Sequence, residues 1–562
     1  MVTPIPNSPR QTGDLLAVLA LLAAAFAGFG LRLGTLPYHG EETRRVQIAR
    51  EMEASGDYLT PRLQGAPWPS KPPFFYWTLV FFIKISGSLD PWVLRLPSAL
   101  ATLSTALLLY AYTRGRYPPW GAFVVGFLFL TTGDILDSGN EAEIDPLFTL
   151  FTAAGLLFWH AGVQHRWSPL RYWVLASFFI ALATLTKGLQ APVYFATGVG
   201  LYALVTRQFR LLWHPAALLG LAVYSAIVLA WAGPFAASQG MAGLKAVFVS
   251  ESVSRSQGGW VPFGQHAAMF PLEWAGSLLP WSPLLLLFLS ANFCRSLRER
   301  CPEAVFAACC VVVAFPTCWL PPGGEERYLR PILPSVMVLL GAAVVHLTQG
   351  ENVPLWAGTV WRWFVRGWAA VLAGGAITLV LVSLLPTPEK LHRWKETTPI
   401  AVGFAMIALG TAGLLTQASS RPGADAVRRS VVLIGLMAGL CVTGLLVNRA
   451  IRRHNDAAGA VAELRRKLPP GHKLHSLGHV LHTFLLHYGD PVVLHPWPHR
   501  EHDLASEVEY FCLDAFRGHH RPLPFAWEEV GRVCLDRIDR PIWDNVVIVG
   551  RRIRGSAAVS QR

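Results

Sequence analysis

Apolar runs long enough to cross a bilayer recur from near the start of the chain to about residue 446, and that recurrence excludes most soluble folds. A helix needs about 20 apolar residues to span a hydrocarbon core roughly 30 Å thick. Runs of about that length are centred near Ala23, Ala106, Phe127, Gly155, Phe179, Val199, Val223, Leu286, Val312, Val338, Ile377, Ile407 and Leu436, about thirteen in all. In lipid a backbone must pair its own polar groups, so each run is read as a helix. Charged residues make up 15% of the chain and hydrophobic ones 52%, whereas soluble chains carry about a quarter charged. The expected fold is therefore an α-helical polytopic membrane protein of about 13 transmembrane helices.

Basic residues settle the expected orientation. Arg114 and Arg116, Arg166 and Arg171, Arg207 and Arg210, Arg295, Arg298 and Arg300, Arg362 and Arg366, and Arg428 with Arg429 fall in alternate connections. By the positive-inside rule these face the cytoplasm together with Arg10. The intervening connections hold Glu41, Glu42, Asp137 to Asp145, Glu251, Glu273, Glu325 and Glu326 and face out. The net charge of +13 is then mostly a topology signal whose counter-charge is the lipid bilayer, with no nucleic acid implied. Leu15 to Leu33 is too long for a signal-peptide core and is read as a retained anchor in the inner (cell) membrane.

Residues 1–453 form the expected transmembrane domain, with outer-face loops at 35–92 and 236–275. From residue 454 to 562 the composition is that of a soluble α/β domain. Short β-like runs at Pro491 to Leu494, Val508 to Leu513 and Asn545 to Val549 alternate there with a helix over Val480 to Tyr488. An odd number of spans puts this domain outside, where Cys512 and Cys534 are free to pair or not. His475, His479 and His482 lack the further ligands that would define a metal site.

The richest chemistry lies between Leu36 and Trp77. Glu41 to Glu53 repeats its apolar residues at helical offsets and is closed by Gly56. Glu41 and Glu42 thus stand in the first turn of a surface helix, followed by Arg44. Beyond a Pro- and Gly-rich stretch, Lys71 precedes Pro72 and Pro73, which stiffen the backbone. Phe74 to Ile85 is too short for a full span and suits an interfacial or re-entrant helix, pinning Lys71 near the lipid phosphates. Further outer clusters carry Asp145, Lys187, Glu251, Arg255, His266, Arg327 and Tyr328.

An outward site has no nucleotide sugars to draw on, and the chain offers no nucleotide cradle: Gly28, Gly30 and Gly34 lie in or at the end of the first span. An activated group must arrive on a lipid. Transfer from a lipid-linked phosphate needs cations to steady the leaving phosphate and a carboxylate to orient or deprotonate the acceptor. Lys71, Lys187, Arg327 and Arg44 supply the first, and Glu41 or Glu42 the second.

The sequence Glu41-Glu42-Thr43-Arg44, then Lys71-Pro72-Pro73 with its aromatics, resembles the first outer loop of the GT-C polyprenyl-phosphate-sugar glycosyltransferases. The likeness is to the lipid A aminoarabinose transferases and the protein mannosyltransferases. It extends over roughly the first 350 residues through Arg95-Leu96-Pro97-Ser98, Asp145-Pro146, Leu185-Thr186-Lys187-Gly188 and Arg327-Tyr328-Leu329-Arg330-Pro331. The resemblance implies a glycosyltransferase that moves a hexosyl or pentosyl group from a carrier such as undecaprenyl phosphate to a cell-envelope acceptor. That acceptor is a lipid A-like glycolipid, a glycan or a protein, met on the periplasmic face.

In that family an aspartate usually stands where Glu41 stands here, and Lys71 matches the lysine that meets the carrier phosphate. Arg44, Lys187, Arg327 and Tyr328 are carried over as donor-phosphate contacts. Asp145, Glu251, Arg255 and His266 are carried over as substrate-binding residues. A glutamate often precedes the lysine in the aminoarabinose transferases; Ser70 replaces it here, so its role is not inherited. The sequence names no certain cofactor and leaves a divalent metal ion open. Two rival readings are an envelope-lipid transporter or flippase, which calls for charges in mid-span, and an oligosaccharide ligase or polymerase.

Overall fold

The computed structural model describes residues 8–38, 40–250, 260–349, 355–385, 398–420, 423–446, 457–515, 521–535 and 545–553. The chain divides into two compact units. The first comprises Met1–Arg32 and Ser98–Arg449, the second Leu33–Pro97 and Ala450–Arg562. The division falls inside the Pro91–Arg114 helix, at its internal Pro97.

Ten described helices are long and apolar enough to cross a membrane, or up to eleven if the pair Phe263–Ser277 and Ser282–Leu289, bent by 117°, makes one span. The count of about thirteen falls to that figure because two of the expected centres lie in shorter helices. Phe127 sits in Pro119–Leu130, of 12 residues, and Val199 in Gln190–Thr206, of 17.

The short Pro119–Leu130 helix is apolar all round, and Gly121 to Leu130 are buried without exception. Such a helix has no solvent or lipid face to present and belongs inside a bundle. It packs against Ser8–Gly28, Leu333–Gln349 and Ala424–Leu440. The longest span, Pro215–Lys245, breaks its helical geometry at Gly240 and runs into the short π-helix Ala246–Ser250. The expected loop over 236–275 is thus helical up to Ser250 and again from Trp260 to Ser277. Glu251 and Arg255 lie outside the described residues.

The second unit joins residues 33–97 to the C-terminal module. Its helix Glu41–Ser55 ends as expected, with Gly56 in the left-handed conformation at φ 70° and its N–H bonded to the Met52 carbonyl. A two-stranded hairpin, Arg62–Leu63 with Ala66–Pro67, follows, and then the apolar helix Phe74–Ser86. Glu51 holds the hairpin turn: its carboxylate accepts from the backbone N–H groups of Gln64, at 2.9 Å, and Gly65, at 3.0 Å.

The C-terminal part is a five-stranded mixed sheet. In spatial order its strands are Val493–His495, Leu474–Leu477, Tyr510–Asp514, Val546–Arg552 and Trp527–Cys534. The first three are parallel and the last two pairings antiparallel. Helix His482–Tyr488 crosses between the parallel strands Leu474–Leu477 and Val493–His495. Phe511, Leu513, Phe525, Val546 and Ile548 build the core of one face. Cys512 pairs with Val549 and Cys534 with Val546, so one strand lies between the two cysteines, and no disulfide joins them.

Candidate active site

Adjacent in sequence, Glu41 and Glu42 meet opposite environments, because successive residues on a helix point about 100° apart. Glu42 turns inward to a bidentate pair with Arg95, at 2.6 Å and 3.0 Å, with both side chains 0% exposed. Arg95 spends its other donors on the carbonyls of Leu33 (3.0 Å), Leu36 (2.8 Å) and Pro37 (3.1 Å). A guanidinium fork satisfied in this way fixes the turn that leads into the helix. Glu41 turns outward, keeps 39% of its side chain exposed and pairs with Arg44 one turn on.

The C-terminal module contributes to the same cluster. His482 Nδ1 lies 2.5 Å from the Thr43 hydroxyl, which is also 3.0 Å from that of Thr483. Burial pushes the His482 pKa down; the Glu41 carboxylate opposes that, while Arg44 and Arg45 add to it. Tyr76, fully buried on the Phe74–Ser86 helix, also lies within reach of the charges of Arg45, Arg44 and Glu41. Lys71 is half-buried and enters that helix through two buried prolines. Glu41, Arg44, Arg45, Tyr76 and His482 therefore form one electrostatic neighbourhood inside the second unit.

The sequence weighs His482 only beside His475 and His479 as a metal ligand, and joins neither it nor Tyr76 to Glu41. His482 lies 439 residues from Thr43, so local pattern carries no sign of the contact. Gln64 and His479 show the same long reach: Gln64 Nε2 donates to Ser476 Oγ at 2.7 Å, and its carbonyl oxygen lies 3.2 Å from His479 Nδ1.

The remaining candidates belong to the first unit. Lys187, at the end of the Pro169–Lys187 helix, is ion-paired with Asp145. Its ammonium lies 5.2 Å from the Tyr328 ring centre and 5.6 Å from that of Phe148. Arg330 bridges the second Asp145 oxygen, at 3.2 Å, to Asp134, at 2.7 Å. Two cations and two carboxylates thus neutralise one another with each side chain no more than 11% exposed.

Sequence reading caught Asp145 and Lys187 but not their partners Asp134 and Arg330, whose signal is only an ionisable residue at a helix end. Arg327 is ion-paired with Glu325, and its guanidinium lies 5.5 Å from the Tyr328 ring centre. His266 Nε2 lies 3.1 Å from the Cys318 carbonyl, tying helix Trp260–Ser277 to Pro302–Trp319. Among the described residues no group of three or more His, Cys, Asp or Glu side chains is arranged to hold a metal ion.

Comparisons with known proteins bear on this geometry. Residues 70–232, which open beside Lys71 and include Asp145 and Lys187, match the family described as dolichyl-phosphate-mannose-protein mannosyltransferase. An undecaprenyl phosphate-alpha-4-amino-4-deoxy-L-arabinose arabinosyl transferase of Pseudomonas aeruginosa is 28% identical over 455 residues, covering 70% of this chain and 78% of that protein. Its counterpart from Pseudomonas savastanoi is 27% identical over 352 residues, and the chain spans 62% of that relative's length. The crystal structure of ArnT from Cupriavidus metallidurans bound to undecaprenyl phosphate superposes with a TM-score of 0.70 at 20% identity, covering 95% of this chain and 97% of that one.

The chain has the fold of the GT-C glycosyltransferases and is similar to them in sequence. Its listed relatives are named as undecaprenyl phosphate-aminoarabinose arabinosyl transferases and its family match as a protein mannosyltransferase, a likeness that favours transfer over the transporter and ligase readings.

Proposed function

We propose that this enzyme transfers a single sugar from undecaprenyl phosphate to a cell-envelope acceptor on the outer face of the inner membrane, with Glu41 as the working carboxylate. The observation that carries the assignment is the split between neighbours: Glu42 is sealed by Arg95, whereas Glu41 is open to an incoming group. The names of the relatives make aminoarabinose on the same carrier the first donor to try.

In the reaction an acceptor oxygen attacks the anomeric carbon as the bond from that carbon to the carrier phosphate breaks. The electron pair leaves with the phosphate, and the configuration at carbon inverts. A hydroxyl acceptor gives its proton to Glu41. An acceptor that is already a phosphate, as on a lipid A-like glycolipid, has no proton to lose and is only oriented by Glu41. Lys71 steadies the leaving phosphate, and Arg44, ion-paired with Glu41, holds that side chain in place. The same proposal assigns Arg327 and Tyr328 to the carrier. Lys187 and Asp145 hold each other in place, so their contribution is to shape.

The test is transfer by protein reconstituted in lipid, with a panel of polyprenyl-phosphate sugars and with lipid A-like, glycan and peptide acceptors. Glu41→Gln is expected to lower turnover with a hydroxyl acceptor by about 10²- to 10⁴-fold, the usual scale for losing a general base. Lys71→Ala should fall comparably while both variants unfold at the temperature of the unaltered protein. Near-normal turnover by both would remove the proposed site, and efficient use of a soluble nucleotide sugar would remove the donor class.

A further inference from the structure

At the end of the first unit that carries Arg114 and the other alternate arginines, a cleft of about 810 Å³ opens beside the start of the Ala424–Leu440 helix. Its walls include Leu414, Leu433, Gln417, Trp120, Arg428 and Arg429. We propose that this cleft is a binding site for one anionic phospholipid of the cytoplasmic leaflet, unrelated to the transfer chemistry. Its phosphate would meet the two guanidiniums and the indole N–H, and its acyl chains would lie along the leucines.

Three independent features support that occupant. The volume falls within the roughly 300–1,000 Å³ of small-ligand sites, and the lining is apolar on the side of Leu414, Val432 and Leu433, as an acyl chain requires. One donor lacks an internal acceptor: Trp120 Nε1 is buried with no partner among the described residues. The Arg428 guanidinium lies over the Trp120 ring, 5.9 Å from its centre, and both side chains line the cleft.

Charge supplies the third feature. Asp425 is the one acid in the lining among the described residues; it reaches Arg428 at 3.4 Å while 81% exposed, a pairing worth little in water. Arg429 makes no ion pair among the described residues. The helix itself begins at Gly423 with no side-chain cap, leaving first-turn amides open in the same wall. The site thus offers a net positive mouth over an apolar floor, which fits a lipid phosphate better than a free anion.

The experiment places the full chain in nanodiscs of phosphatidylcholine with or without phosphatidylglycerol and counts lipids retained on the protein by native mass spectrometry. The unaltered protein is expected to keep one phosphatidylglycerol selectively. Arg428→Gln with Arg429→Gln should bind it about thirtyfold more weakly, from roughly fivefold per guanidinium near a lipid surface. Arg166→Gln with Arg210→Gln, outside the cleft, should retain it as before. Equal loss in both pairs would show diffuse attraction to a basic belt and overturn the site, as would undiminished retention in the first pair. Inorganic phosphate displacing the lipid at matched concentration would overturn the commitment to a phospholipid. Should the first pair fail to fold, Trp120→Phe removes the donor and keeps the ring; it is expected to weaken retention severalfold, and no change would count against the cleft.

Discussion

Glu42 and Arg95 form a buried ion pair at the entry to the Glu41–Ser55 helix. Both are wholly buried and all the donors of the arginine are used, so removing one partner strands the other in a medium that cannot solvate it. Glu42→Ala is expected to destabilise the second unit by about 3–5 kcal/mol, read as a lower unfolding midpoint and early proteolysis between residues 33 and 97. A variant that stays as stable as the parent but loses turnover would instead make Glu42 catalytic.

His482 gives a second prediction at this scale. Burial depresses its pKa in the folded protein, whereas the unfolded chain protonates near 6.5. Below that pH the unfolded state holds the extra proton, so stability falls on acidification by up to about 1.4 kcal/mol per pH unit. Hydrogen exchange of the Glu41–Ser55 helix between pH 7.5 and 5.5 measures the slope, which His482→Gln should flatten. Equal slopes in the two proteins would exclude His482 as the titrating group.

Among elements, the hairpin of Ile144–Gln164 and Pro169–Lys187 depends on an approach that only glycine permits. A Cβ on Gly162 would sit 2.3 Å from the Tyr172 Cβ, and one on Gly155 3.2 Å from the Ala176 carbonyl oxygen. Neither neighbour is the free end of a flexible chain, so the helices must part to admit a methyl group. Gly162→Val is expected to cost about 1–3 kcal/mol or more, seen as a lower midpoint of thermal aggregation; an unchanged midpoint would mean the helices can separate without loss.

The same scale shows what was legible in the sequence. Helix Glu41–Ser55 and its Gly56 stop were readable because both signals are local. So were the strands at Val493–His495, Tyr510–Asp514 and Val546–Arg552, which fall within or overlap the expected runs. Leu474–Leu477 escaped because His475 and Ser476 interrupt its two leucines and leave neither an apolar run nor an alternation. Trp527–Cys534 escaped because an edge strand with Glu528, Glu529 and Arg532 turned largely to solvent lacks the apolar signature of its buried neighbours. The Glu42–Arg95 clasp and the Thr43–His482 contact span 53 and 439 residues, separations at which only the folded chain brings partners together.

On the scale of the whole molecule, the second unit is assembled from two stretches that the transmembrane sequence holds hundreds of residues apart. Residues 33–97 lean on the C-terminal stretch at several points. Gln64 donates to Ser476, the Arg50 guanidinium donates to the Gly489 carbonyl, and Trp68 meets His479 edge-on with ring centres 5.4 Å apart. Thr43 sits against His482, two residues from Glu41. Each contact replaces water at a polar group that would otherwise be solvated and mobile, so the C-terminal module acts as the rigid backing of the Glu41 helix. A chain ended after residue 449 is therefore expected to insert its membrane helices yet lose transfer activity by at least about a hundredfold, the scale set by misplacing a catalytic group by an ångström. Limited proteolysis should then cut within residues 33–97, which the full chain protects. Near-normal turnover by the shortened protein would mean that the Glu41 helix is organised without its C-terminal partner, and the backing role would fall with it.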